Sequence, residues 1–152
     1  VGAMSAMDFG RMGFYADPEG AVFAVWQAGS HHGAGLVNEP VSFCWNELAV
    51  RDLDGAKRFY SAVFGWDTPA MDGPAPTETA LIKNAGRDNG HMLQMNEQWE
   101  GIPPVWSVYF AVADTDANGV KAKEVGGEGL VPPMDNPHGG CAAIKQCALS
   151  SS

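Results

Sequence analysis

The sequence predicts an α+β fold built from two βαβββ modules, with an N-terminal hairpin completing the second. Three observations lead there. The stretch VSFCWNELAVRDLDGAKRFYSAVFGW (residues 41–66) is answered by VWSVYFAVADTDANGVKAKEVGGEG (residues 105–129), each an apolar strand, a Val-x-Asp turn and a helix closed by glycine. Asp52 and Asp114 mark the same point of the pattern, so the repeat is 114 − 52 = 62 residues, too long for a solenoid unit and suited to a small α+β module. The second copy runs short of its final hairpin, whereas MGFYADPEGAVFAVWQ near the N-terminus is a ββ unit with no strand–helix pair of its own.

In chain order, residues 1–11 read as a frayed end and residues 12–27 as the hairpin, turning at Asp17-Pro18-Glu19-Gly20, where proline presets φ and glycine accepts a positive one. Residues 28–40 hold glycines, polar residues and a closing proline without periodicity, which reads as a linker. The first module takes residues 41–100. Asp52 is placed to cap a helix whose apolar residues Ala56, Phe59, Tyr60, Val63 and Phe64 follow helical spacing, and Gly65 supplies the stop. A short strand near Trp66 and strands over 79–84 and 91–96, separated by the turn-rich AGRDNG, complete it. The second module, 101–147, offers a strand over 106–112, a helix from Asp114 to about Val125 and a strand near Leu130. Residues 148–152 read as a tail, and the whole as one structural domain.

Composition narrows the function classes. At 152 residues, 45% hydrophobic and 18% charged, the chain can bury a sizeable core. A net charge of −9 with nine scattered Lys and Arg excludes a phosphate-binding surface, so nucleic acid is not an expected partner. The sequence lacks an apolar run long enough to cross a bilayer and shows no basic-then-hydrophobic leader, so no membrane partner and a cytoplasmic location are expected. Cys44, Cys141 and Cys147 are odd in number and show no CxxC pair, so they read as thiols and not as a disulfide framework or zinc site.

The pattern strand-NEL-x-V-x-D-helix-F-x-x-x-F-G-W, together with DPEGAVFAVWQ, resembles the glyoxalase, bleomycin-resistance and extradiol-dioxygenase superfamily, also called vicinal oxygen chelate proteins. Through CWNELAVRD, PPVWSVYFAV and LVPPMDNP the chain is similar to two-module glyoxalase-like proteins of actinobacteria. The resemblance implies curved mixed sheets that enclose a cavity, with helices on the convex side. It also implies a metal held by a His on the first strand of each module and a Glu on a last strand. Carried onto this chain, those positions are Trp45, Ser107 and Ala24. None is a usual ligand for a divalent ion, so neither a functional metal nor a cofactor is expected.

Strand alternation then assigns the pocket. If Trp45 faces the cavity, so do Phe43, Glu47 and Ala49, while Leu48 and Val50 face the helix; Ser107 and Tyr109 face inward on the second module, and Val22, Ala24 and Trp26 on the hairpin. Trp26, Phe43, Trp45, Glu47, Ser107 and Tyr109 are thus the expected ligand-binding residues, an aromatic wall with a few polar groups. Glu47 is the best candidate for acid–base chemistry, against the plainer reading that it bonds a nearby Tyr, Ser or backbone N–H. His31 and His32 read as solvated linker residues, and His91 and His138 as surface or hydrogen-bonded histidines.

The expected function is metal-free binding of a small apolar or aromatic molecule. The alternative is a lyase, isomerase or dioxygenase that uses Glu47 or an unrecognised divalent-metal site. Besides that ligand, a homodimer is expected, with the hairpin either closing within its own chain or swapping into the partner.

Overall fold

In the computed structural model, which describes residues 4–71, 77–131 and 133, the chain is a mixed α+β fold with two sheets. A small antiparallel sheet has the order β1-β2-β3, from β1 (Met4–Ser5), β2 (Gly10–Ala16) and β3 (Val22–Ala28). The larger sheet contains β4 (Phe43–Val50), β5 (Thr79–Asn84), β6 (Arg87–Gln94) and β7 (Val105–Phe110), in the order β5-β6-β4-β7. Two helices, α1 (Leu53–Phe64) and α2 (Thr115–Glu124), follow β4 and β7. The chain divides into two compact units, one of residues 1–35 and 47–106, the other of residues 36–46 and 107–152.

The first unit has a βαβββ plan. β4 runs into α1, the chain returns over Asp67 and Ala70, which bridge Lys83 and Ala80 of β5, and β6 pairs antiparallel with β5 and parallel with β4. The short strand expected near Trp66 is this return. The next turn is tighter than the sequence suggested. Ala85 and Gly86 both take positive φ, 49° and 76°, the geometry of a two-residue hairpin loop. Asn84 therefore pairs with Arg87, and β6 begins at Arg87 instead of His91.

Helix α1 begins under three separate caps. The Asp52 carboxylate accepts from Gly55 N–H at 2.8 Å, Gln94 Oε1 accepts from Leu53 N–H at 3.0 Å, and Glu19 of the hairpin turn accepts from Arg51 N–H at 2.8 Å and Asp52 N–H at 3.0 Å. In an ordinary capping box the side chain three residues past the cap would bond the cap's own N–H. That position is Gly55, and a Cβ there would lie 2.3 Å from Asp52 Oδ2; Glu19 does the job from another strand. At the other end Gly65 takes φ 69° and its N–H bonds Ser61 O at 2.9 Å, the left-handed stop expected there.

The core gathers on the α1 side of the sheet: Leu48, Val50, Ala80, Ile82 and Met92 from the strands, Leu53, Ala56 and Tyr60 from the helix, and Ala21 from the hairpin. Val63, expected on the packed face, is exposed, and Leu53 packs instead. Phe23 of β3 lies 5.7 Å from Tyr60 and 5.8 Å from Phe64, centroid to centroid. The Tyr60 hydroxyl donates to Asp17 Oδ2 at 3.1 Å and accepts from Trp106 Nε1–H at 2.9 Å. Burial, the largest influence, pushes the Tyr60 hydroxyl well above its ordinary pKa; the Trp106 bond opposes the rise and Asp17 adds to it. The hairpin expected to complete the second module thus forms a sheet with β1 and packs on α1 of the first unit.

In the second unit, Val41 N–H bonds Ala111 O at 2.8 Å and Ala111 N–H bonds Ser42 O at 2.9 Å. Helix α2 is capped by Asp114, which accepts from Ala117 N–H at 2.9 Å, so both aspartates of the repeat do the same work. None of the residues of α2 is buried. The strand expected near Leu130 finds no counterpart at Leu130 or Val131, and His138, Cys141 and Cys147 lie outside the described residues.

Candidate functional site

The first unit brings two titratable side chains together on the sheet face opposite α1. Parallel pairing of β4 with β6 sets Glu47 in register with His91, and antiparallel pairing of β5 with β6 sets Leu81 against the same histidine. Because alternate residues of a strand face opposite ways, Leu48 and Val50 enter the core while Glu47 and Ala49 take the other face with His91 and Leu93. Glu47 Oε2 lies 3.3 Å from His91 Nε2, with side chains only 9% and 19% exposed. A burial this deep requires a carboxylate to be partnered.

The chemistry of the pair follows from its composition. A carboxylate beside an imidazole fixes the ring's orientation, and both side chains are of the types that exchange a proton with a bound molecule. Their register neighbours Leu81, Ala49 and Leu93 are apolar, and Thr79, opposite Leu93, adds a hydroxyl to the same face.

Of the six residues expected to line a pocket, Trp26 and Glu47 fall in the first unit, and Phe43, Trp45, Ser107 and Tyr109 in the second. On β7, Ser107 and Tyr109 are buried while Val108 and Phe110 are exposed, the alternation that sequence reasoning assigned. Phe43 and Trp45 are half-buried on β4. Trp26 is 38% exposed. Its indole N–H donates to the backbone carbonyl of His31 at 2.9 Å and its ring meets the His31 imidazole edge-on at 6.0 Å, so His31, exposed as expected of a linker residue, also touches the hairpin. Cys44, expected as a free thiol, is disulfide-bonded; an odd cysteine count does not exclude one bridge.

His91, expected as a surface or hydrogen-bonded histidine, is paired with Glu47. The signal for it is long-range, since only the parallel register of β4 and β6 sets it beside Glu47.

At the positions to which the resemblance carries the family's metal ligands, Trp45 and Ala24 offer no usual ligating atom and Ser107 offers only a hydroxyl. Glu47 and His91 are two donors, and among the described residues no three His, Cys, Asp or Glu are grouped to hold an ion. Among the same residues no helix is long and apolar enough to cross a membrane.

Comparison with known proteins adds four findings. Residues 42–147 match the model of the family described as "Glyoxalase/Bleomycin resistance protein/Dioxygenase superfamily". The chain is 40% identical over 137 residues to "Putative glyoxylase CFP32" of Mycobacterium tuberculosis, covering 90% of this chain and 52% of that protein. It is 36% identical over 142 residues to "Anthracycline biosynthesis protein DnrV" of Streptomyces peucetius, covering 90% and 49%. The chain therefore spans about half the length of the curated relatives it matches. A solved methylmalonyl-CoA epimerase, in complex with methylmalonyl-CoA and NH4+, overlaps it with a TM-score of 0.45 at 18% identity, over 64% of this chain and 79% of that one.

Proposed function

Because the chain belongs to the glyoxalase/bleomycin resistance protein/dioxygenase superfamily, we propose that it binds a small, largely apolar or aromatic molecule without a metal at the family position. The Glu47–His91 pair is the polar anchor. One observation carries this reading: a carboxylate and an imidazole 3.3 Å apart on a sheet face where Leu81, Ala49 and Leu93 lie beside them. Small-molecule sites combine such an apolar surface with a few placed polar groups that fix orientation. An aromatic ligand is further supported by the relative named for anthracycline biosynthesis, since an anthracycline is a flat fused-ring molecule.

The binding reading is tested by titrating the protein with a panel of uncharged and weakly acidic bicyclic aromatics and following tryptophan fluorescence. Saturable one-to-one quenching that survives chelator treatment is expected. A panel that gives only linear, non-saturating quenching contradicts the reading, as does binding that needs an added divalent ion.

The same pair favours a second reading, an isomerase or lyase that moves a proton through Glu47 and His91. Such chemistry needs a base and a partner that orients it, and a carboxylate beside an imidazole offers groups of both kinds. Glu47-dependent exchange of substrate C–H with solvent deuterium, followed by proton NMR, would separate it from simple binding.

A further inference from the structure

Among the described residues an Asp or Asn is followed by glycine at Asp54-Gly55, Asn89-Gly90 and Asn118-Gly119. A glycine nitrogen has no Cβ beside it to hinder attack on the preceding side-chain carbonyl carbon. Ring closure then needs an electrophilic carbon and a backbone free to bring the two atoms together. Asp54 lacks the first. Its carboxylate accepts from Lys57 Nζ at 3.0 Å, and that bond, followed by the lysine charge, holds the carboxyl below its ordinary pKa, so it stays ionised and resists attack. The Gly55 N–H is itself engaged, donating to Asp52 Oδ1 at 2.8 Å. Asn89 lacks the second. It sits at the register shift between Ile82 and Lys83, yet Gly90 is buried and paired with Ile82, which fixes its nitrogen within the sheet.

Asn118 has both. It is an exposed carboxamide on α2, a helix of ten residues of which none is buried, whereas α1 buries Leu53, Ala56 and Tyr60. Helices this short are marginal in water unless a face is packed, and Gly119 in the interior weakens this one further. The side-chain interactions that hold it are the Asp114 cap on Ala117 N–H at 2.9 Å, the bond from Asn118 Nδ2–H to Asp114 O at 2.7 Å and the exposed Lys121–Glu124 pair at 3.2 Å. Such a segment opens locally at little free-energy cost. The space beside Gly119 is also open, since a Cβ there would meet nothing within 4 Å.

We propose that Asn118 is a modification site, deamidated without an enzyme by ring closure onto Gly119 whenever α2 opens, and that the fold withholds the same reaction from Asn89 and Asp54. The Gly119 backbone nitrogen bonds to Asn118 Cγ and gives up its proton, while the Cγ–Nδ2 bond breaks and ammonia leaves. Water then opens the cyclic imide at either carbonyl, giving Asp at one and the isoAsp backbone at the other. One water enters and one ammonia departs, with no oxidant or reductant. The product carries a new negative charge close to Asp114 and Asp116 and no longer has the amide that bonds Asp114 O, so like-charge repulsion loosens the helix that permitted the reaction.

The test incubates the full chain at mildly alkaline pH in water labelled with heavy oxygen and follows the peptides that contain Asp54, Asn89 and Asn118 by mass spectrometry. Label is expected at Asn118 as a mixture of Asp and isoAsp, at least about tenfold faster than at Asn89, with no isoAsp at Asp54. Asp114→Ala, which removes the cap of α2, should speed conversion at Asn118 about three- to tenfold and leave Asn89 unchanged. Gly119→Ala should slow it at least about tenfold, because the added Cβ hinders the attack and strengthens the helix. In concentrated urea, where both segments are unfolded, the rates at Asn89 and Asn118 should become similar. An Asn118 amide still intact in the folded protein when the urea-unfolded chain has converted overturns the proposal. So do equal rates at Asn89 and Asn118 in the folded protein, a difference between them that persists in urea, or a rate at Asn118 that Asp114→Ala does not raise.

Discussion

The Tyr60 hydroxyl is held between Asp17 and Trp106: it donates to Asp17 Oδ2 at 3.1 Å and accepts from Trp106 Nε1–H at 2.9 Å. One fully buried phenol thereby joins the hairpin turn, helix α1 and the start of β7. Asp17 has its other oxygen occupied by the N–H groups of Glu19 and Ala21. Tyr60→Phe removes the donor to a buried carboxylate and the acceptor of an indole N–H, and is expected to cost about 1–3 kcal/mol, read as a lowered midpoint in urea with an unchanged slope.

The same phenol gives an alkaline signature. Its folded pKa is raised above the free value of 10.0, chiefly by burial, so the native state keeps this proton where the unfolded chain loses it. Stability from this group is complete below pH 10 and declines as pH rises above it. Melting temperatures between pH 8 and 11 should fall more steeply in the wild type than in Tyr60→Phe. Parallel curves would remove the assignment.

Glu19 caps α1 from outside the helix, accepting from two successive N–H groups at 2.8 and 3.0 Å. Glu19→Ala leaves both without this acceptor and should destabilise by about 1–2 kcal/mol, whereas Glu19→Gln keeps one oxygen and should cost less. The difference between the two variants in chemical denaturation is the relevant readout.

Much of this was legible because it is local. Asp52 and Asp114 each bond the N–H three residues on, and Gly65 ends α1; these are short-range requirements that sequence states directly. Alternation likewise placed Leu48 and Val50 in the core and Ser107 and Tyr109 on one buried face. What escaped the sequence depends on distant segments. His91 meets Glu47 only through the parallel register of two strands separated by a helix and a hairpin. Glu19 reaches α1 only because the hairpin docks there. The turn expected over residues 85–90 is confined to Ala85-Gly86 for another reason: alanine at φ 49° has none of the Asn-Gly signal that marks such a short loop, and only the pairing of its flanking strands enforces it.

Metal dependence offers a further test. With Trp45, Ser107 and Ala24 at the positions to which the resemblance carries the family's ligands, Mn, Fe, Ni and Zn are expected to be substoichiometric in protein purified without chelator. Adding them should leave the melting temperature unchanged, since a ligand that binds only the native state would raise it. A one-to-one metal content, or a rise of several degrees, would contradict that expectation.

The central claim is that Glu47, paired with His91 at 3.3 Å, anchors a small aromatic ligand. Equilibrium binding of 1-naphthol to chelator-treated wild type and to Glu47→Gln tests it most directly, because the hydroxyl can donate to a carboxylate and the variant preserves size while removing charge. Saturable wild-type binding, weakened roughly five- to tenfold in Glu47→Gln in line with about 1 kcal/mol for a lost hydrogen bond, is the predicted result. Equal affinity in the two proteins, or no saturable binding to either, would contradict it.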